Sequence, residues 1–296
     1  MQKSDSQHIR EIRERLSKIS LKKGFLTMLF FIILTAAGCY LALDELNINS
    51  PWQDIILQYA IYMVPFLLVI WVLRETNHLF SFFKRDSKEL SQVLMAIPLI
   101  VISIGVVWMI ILILNLISTG VAENYLNWLN NAKLLNLGPE ATLIQYVLFL
   151  GLITIVAPVV EEVIFRGIMI ERLGAKYNYG WAVIISSVIF GILHSNPVGA
   201  FISGVILSLV YLKTKTLKGP IVIHIANNTI AAFFMIADEK LAFSDSSWET
   251  VEPYISNGWI GILLFITGIV WLSWYIKQNC QSAIEMEPFK LKAEKN

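Results

Sequence analysis

Charge is what this sequence has least of. Only 15% of its 296 residues are Asp, Glu, Lys or Arg, against roughly 25% in an ordinary soluble domain. A chain this poor in charge and 56% hydrophobic carries more apolar surface than one water-soluble core can cover, and it needs lipid. Cysteine is scarce as well. Cys39 stands near the end of the first apolar block and Cys280 just after the last; the topology below puts them on opposite sides of a membrane, so they cannot bridge. Nor is there an excess of positive charge: the net charge is +1, and no nucleic-acid partner is indicated.

What is present is a series of nearly uncharged apolar blocks of about 20 residues, the length a helix needs to cross roughly 30 Å of hydrocarbon. They run approximately over 24–43, 55–73, 93–118, 143–173, 180–194, 198–212, 219–237 and 259–276. The expected fold is therefore all-α, a polytopic membrane protein of about eight transmembrane helices. The first block follows a basic tail and is read as a retained helix rather than a signal peptide. In that tail Ile9, Ile12, Leu16 and Ile19 recur at helical spacing among Arg10, Arg13, Arg15 and Lys18, the pattern of an amphipathic helix lying on the membrane surface. No internal repeat is visible.

Positive charge sets the orientation, because cytoplasmic loops collect Lys and Arg. Seven precede the first block. Arg74, Lys84, Arg85 and Lys88 follow the second; Arg172 and Lys176 follow the fourth; Lys213, Lys215 and Lys218 follow the sixth; Lys277, Lys290, Lys292 and Lys295 follow the last. The alternate loops hold only Lys133 and Lys240, beside acids such as Asp44, Glu123, Asp238 and Asp245. Both termini are expected in the cytoplasm. The connecting stretches 119–142 and 238–258 are too short to hide a soluble domain.

Against this background, ionisable residues inside the blocks carry the information, since a charge at the bilayer centre costs at least about 2.5 kcal/mol. The segment PVVEEVIFRG puts Glu161, Glu162 and Arg166 on one helix. Glu162 and Arg166 stand four apart and can pair on one face. Glu161 projects about 100° away and is left for another task. Solvation of all three at the end of a short span is the plainer alternative, but Gly174, the next clear interface, lies about 20 Å of helix beyond Glu161.

His194 closes the fifth block, in FGILHSNP. A lone histidine in an apolar segment is more often a packed, hydrogen-bonded residue than a functional one. Its position argues otherwise: the blocks on either side are each only about 21 Å of helix, so the turn at Ser195–Asn196–Pro197 should lie within the membrane, where irregular backbone persists only if buried in protein or lining a wet cavity. In the seventh block, His224 and Asn228 stand four apart on one helical face, about 9 and 15 Å from Lys218. A carboxylate, two imidazoles and an amide thus reach overlapping depths from three helices that enter on the cytoplasmic side. Chance polar packing does not require such a match.

A carboxylate beside imidazole in a low-dielectric site can act as a general base toward water. An Asn amide with a neighbouring imidazole can supply donors for the oxyanion formed in peptide hydrolysis. No serine stands in a nucleophile-elbow context, and neither cysteine lies at this depth. Glu161, His194 and His224 could instead hold zinc with an open position, although HExxH is absent and no two of them share a helix face. Metal-free activation of water ranks ahead of zinc.

At these residues the sequence resembles the CPBP family of intramembrane proteases, which includes the type II CAAX prenyl endopeptidases and bacterial bacteriocin-processing or immunity proteins. The family pattern EExxxR falls on Glu161, Glu162 and Arg166, FxxxH on Phe190 and His194, and HxxxN on His224 and Asn228. The resemblance covers about a third of the chain, roughly 146–236. It implies that Glu161 and His194 activate water, that His224 and Asn228 stabilise the oxyanion, and that Glu162, Arg166 and Phe190 support them. Together with the apolar blocks and the charge pattern, it divides the chain into a cytoplasmic basic amphipathic tail (1–23), N-terminal transmembrane helices (24–141), a CPBP-like protease core (142–237), and an external loop with the last helix and cytoplasmic tail (238–296). The expected function is an intramembrane endopeptidase acting on a membrane-associated protein or peptide, in a bacterial plasma membrane. The alternatives are a non-catalytic bacteriocin-immunity or scaffold protein and, behind it, a proton-coupled transporter, against which the missing repeats weigh.

Overall fold

The computed structural model describes residues 21–48, 50–76, 92–131, 141–241 and 250–284. The amphipathic tail from Ile9 to Ile19, the loop cations Lys84, Arg85, Lys88 and Lys133, and the closing Lys290, Lys292 and Lys295 lie outside these residues. All regular structure among the described residues is helical. In chain order the helices are α1 (Leu21–Glu45), α2 (Ser50–Thr76), α3 (Ala96–Ile117), α4 (Thr119–Asn131), the composite run α5 (Leu143–Lys176), α6 (Tyr179–Ile192), α7 (Pro197–Thr214), α8 (Lys218–Leu241), α9 (Glu252–Ser256) and α10 (Gly258–Ile284).

This is an integral membrane protein. Among the described residues six helices are long and apolar enough to cross a membrane: α1, α3, α5, α7, α8 and α10. The sequence suggested about eight. The block at 55–73 is helical within α2, which has 27 residues and contains Pro65, but α2 is not among the six. The block at 180–194 yields α6, whose 14 residues give only about 21 Å of helix. Its partner α7, expected to be equally short, extends to 18 residues and does qualify. The connecting stretch 119–142 contains the helix α4, which buries Ala122 and Leu126 against Ile111 of α3 and Val251.

Helix α3 packs closely against α10. The contact depends on two positions where no side chain fits: a Cβ on Gly105 would stand 2.6 Å from the Phe265 amide nitrogen, and one on Gly268 2.6 Å from the Ile102 Cβ. In lipid, small residues of this kind replace the hydrophobic effect by letting backbones approach. Around that pair α5, α6, α7 and α8 enclose a core in which Leu99, Ile170, Tyr179, Ile206, Leu207 and Ile223 are almost wholly buried.

Local chemistry fixes the short hairpin α6–α7. Asn178 caps α6, its side chain accepting from the Trp181 amide at 2.8 Å. After Ile192 the chain turns, and Asn196 caps α7 by accepting from the Gly199 amide at 3.1 Å, with Pro197 at the first helical position, where its missing N–H costs nothing. The Asn196 amide also donates to the Ser103 hydroxyl at 2.9 Å, which ties the turn to α3. His194 therefore sits in this turn, just beyond the end of α6, not on the helix itself.

Helix α5 is not a regular α-helix. Leu152–Val156 and Val163–Ile170 are wound as π-helix, a geometry that recurs at functional positions. The Ala157 amide donates to the Leu152 carbonyl, one residue further back than an α-helix would use. The next residue, Pro158, has no N–H to give. The Ile153 carbonyl is left open to a partner from outside the helix.

Candidate active site

The composite helix α5 delivers two adjacent carboxylates into different surroundings. Glu162 is fully buried. Its Oε1 accepts from Arg166 Nη1 at 2.7 Å, the pairing expected from their spacing. The same oxygen accepts from His224 Nδ1 at 2.8 Å. Glu162 thus belongs to the site as well as to the ion pair, a double role that spacing alone did not indicate. Arg166, also buried, reaches the Gly204 carbonyl of α7 at 3.3 Å, so the pair links α5, α7 and α8.

Glu161 faces the two imidazoles. Its Oε2 lies 3.6 Å from His194 Nε2 and 3.9 Å from His224 Nε2. The far nitrogens of both rings are occupied: His194 Nδ1 is 2.6 Å from the Phe190 carbonyl, and His224 Nδ1 bonds Glu162. A carbonyl and a carboxylate can only accept, so each Nδ1 carries a proton and each Nε2 is turned toward Glu161. Separations of this size between polar atoms suit a bridging water better than a direct bond.

Phe190 is the wedge that spaces these groups. Its ring centroid is 4.2 Å from that of His194 and 5.7 Å from that of His224, while the Arg166 guanidinium lies 4.6 Å from its centre on a cation–π contact. Glu162, Arg166, Phe190, His194 and His224 are thus joined by contacts among themselves, with Glu161 facing the two imidazoles.

Asn228 is placed differently. Its amide donates to the open Ile153 carbonyl at 2.9 Å, so the π turn of α5 and Pro158 together orient it. An Asn amide has two N–H donors, and this bond uses one. The side chain lines a cavity of about 230 Å³ together with His194, His224, Ser195, Asn196 and Asn227, closed on the α3 side by Leu99 and Ser103. Glu161 is not part of that lining; it stands behind the imidazoles, with 15% of its side chain exposed.

Sequence reasoning missed one member. Tyr62 of α2 donates its hydroxyl to Glu161 Oε1 at 2.9 Å. A tyrosine inside an apolar span was the available signal, since a buried phenol needs a partner. As for zinc, no group of three or more His, Cys, Asp or Glu side chains among the described residues is arranged to hold a metal ion. Glu161, His194 and His224, the set named for zinc, meet at Glu161 Oε2 with Nε2–Oε2 separations of 3.6 and 3.9 Å.

Comparison with known proteins bears on this same region. Residues 143–230 match the family described as Type II CAAX prenyl endopeptidase Rce1-like. YdiL of Bacillus subtilis, named as a membrane peptidase, is 36% identical over 86 residues, which cover 28% of this chain and 35% of that protein. MroQ of Staphylococcus aureus, named as a membrane-embedded CAAX protease, is 35% identical over 103 residues, 31% of this chain and 41% of that protein. The chain thus spans well under half the length of the curated relatives it matches. No solved structure matches.

Proposed function

We propose that the chain is a membrane endopeptidase hydrolysing a peptide bond of a membrane-associated protein or peptide, since residues 143–230 match the Rce1-like CAAX endopeptidase family within an integral membrane protein. The observation that carries this reading is the convergence of His194 Nε2 and His224 Nε2 on Glu161 Oε2, each ring turned that way by the bond at its Nδ1.

In this mechanism a water held between Glu161 Oε2 and His194 Nε2 gives its proton to Glu161 as its oxygen attacks the carbonyl carbon of the scissile bond. Negative charge then builds on the carbonyl oxygen. Asn228 offers it the N–H not bonded to Ile153, and His224, held from behind by Glu162, presents its Nε2 edge beside it. Removal of one oxyanion donor typically costs about 2.7–4 kcal/mol in the barrier. Collapse of the tetrahedral intermediate breaks the C–N bond, and the proton taken by Glu161 passes to the leaving amine. No step needs a metal. That both relatives are bacterial supports a bacterial plasma membrane as the location, with the cavity reached from the cytoplasmic side.

The test is turnover of a quenched-fluorescent peptide library by the purified full chain in phospholipid vesicles. Cleavage that disappears in Glu161→Gln and persists in excess chelator is the expected result. Cleavage undiminished in Glu161→Gln overturns the role of that residue, and loss to chelator with recovery on added Zn²⁺ overturns the metal-free mechanism. A protein that protects cells equally well as wild type, Glu161→Gln or His194→Ala would be a non-catalytic immunity protein instead.

A further inference from the structure

The carboxylate of Glu161 has two oxygens, and the structure gives them separate partners. Oε2 meets both imidazoles. Oε1 accepts from the Tyr62 hydroxyl of α2 at 2.9 Å, a group outside the protease-like segment and 99 residues away in sequence. Helix α2 is docked for this contact. One turn before Tyr62, Tyr59 donates to the Leu148 carbonyl of α5 at 2.7 Å. One turn before that, Ile55 is buried against Tyr146 and Phe149. Ile55, Tyr59 and Tyr62 recur at the four- and three-residue steps that share one helical face, so α2 lies along α5 by an apolar contact, a backbone staple and the catalytic carboxylate in turn.

The last torsion of a glutamate is broad and roughly two-fold, so nothing internal to Glu161 keeps one oxygen on the histidines. We infer that Tyr62 is a positioning residue of the site: it occupies Oε1 and thereby fixes Oε2 toward His194 and His224, which makes α2 an active-site element although it lies outside the family-matched segment. This rests on the reading of Glu161 as general base.

The test uses the full chain in vesicles and two readouts. The first is the infrared band of the Glu161 carboxylate, isolated by subtracting the spectrum of Glu161→Gln in each background; it needs no substrate. Tyr62→Phe, which removes one oxygen and keeps the ring, should displace that band, while Tyr59→Phe, which loosens the docking of α2 without touching Glu161, should leave it in place. The second is turnover of the peptide library. Tyr62→Phe should lower kcat by about ten- to a hundred-fold, the range of a hydrogen bond to a charged group, with KM unchanged. An undisplaced band in Tyr62→Phe overturns the inference. So do equal losses of kcat in Tyr59→Phe and Tyr62→Phe that follow thermal stability, which is the signature of a merely structural contact. If Glu161→Gln cleaves as wild type does, the general-base reading fails; if Glu161→Gln is inactive and Tyr62→Phe is fully active, only the role of Tyr62 fails.

Discussion

Helices α1 and α7 are both apolar enough to cross a membrane, yet they live in opposite surroundings. Half of the α7 span is buried inside the protein, but only 6% of the α1 window is. Helix α1 turns Leu26, Phe30, Ile33, Leu34 and Leu41 outward, whereas α7 hides Ile206, Leu207, Leu209 and Tyr211 around the carbonyl that receives Arg166. Hydrophobicity therefore does not mark the interior of this molecule. Lipid is as good a solvent for leucine as other leucines are, so apolar side chains are free to lie on either side. The groups that must be inside are the polar ones, and Glu162, Arg166 and His224 are all buried. Substitutions should accordingly cost most where polar groups meet and least where apolar groups face outward.

The largest effect falls on Glu161. Glu161→Gln should lower kcat by about 10²–10⁴-fold, the usual contribution of a general base, while the thermal melt of the protein in detergent stays near that of wild type. A large fall in melting temperature would mean that Glu161, like its neighbour, holds the core together. Next comes that neighbour. Glu162→Gln or Arg166→Met leaves an uncompensated buried partner and should destabilise the fold by about 3–5 kcal/mol, measured by denaturant unfolding in micelles. The double change Glu162→Leu with Arg166→Met should recover most of that stability and none of the activity, because His224 loses the acceptor that turns its Nε2 toward Glu161. Asn228→Ala should follow, with a loss of about 10²–10³ in kcat if its free N–H meets the oxyanion. A KM effect without a kcat effect would move Asn228 from transition-state stabilisation to substrate binding.

How much of this was legible beforehand depended on the kind of signal. The apolar blocks gave helices at nearly the expected places, since length and lack of charge are properties of a segment by itself. Glu162 could be paired with Arg166 because both lie on one helix at a four-residue step, and Phe190 with His194 through the FxxxH pattern of the resemblance. What could not be read depended on backbone register or on distant contacts. The π turns of α5 leave no trace in an apolar pattern, so the open Ile153 carbonyl that receives Asn228 was invisible, although Pro158 stood in plain view. Tyr62 was hidden because a tyrosine in an apolar run reads as bulk until a partner appears. Glu162 was assigned to Arg166 alone because a carboxylate oxygen serving two donors requires the fold. Helix α4 was taken for a connection because its 13 residues, TGVAENYLNWLNN, are too short and too interrupted by polar side chains to read as a span.

Two smaller effects test the outer side of the comparison. Gly268→Ala inserts a methyl group against Ile102, where the helix backbones of α3 and α10 leave no room, and should destabilise by about 1–3 kcal/mol, as overpacking does. By contrast, Phe30→Ala removes a large ring that is 61% exposed on α1. A soluble protein would lose several kcal/mol from deleting a core phenylalanine, but here the ring faces outward and the lost contact is with lipid. The stability in vesicles should change by no more than about 0.5 kcal/mol, with kcat unaltered. A drop comparable to that of Gly268→Ala would show that this face of α1 is covered by protein, and the contrast between α1 and α7 would then be one between two interfaces, not between interface and lipid.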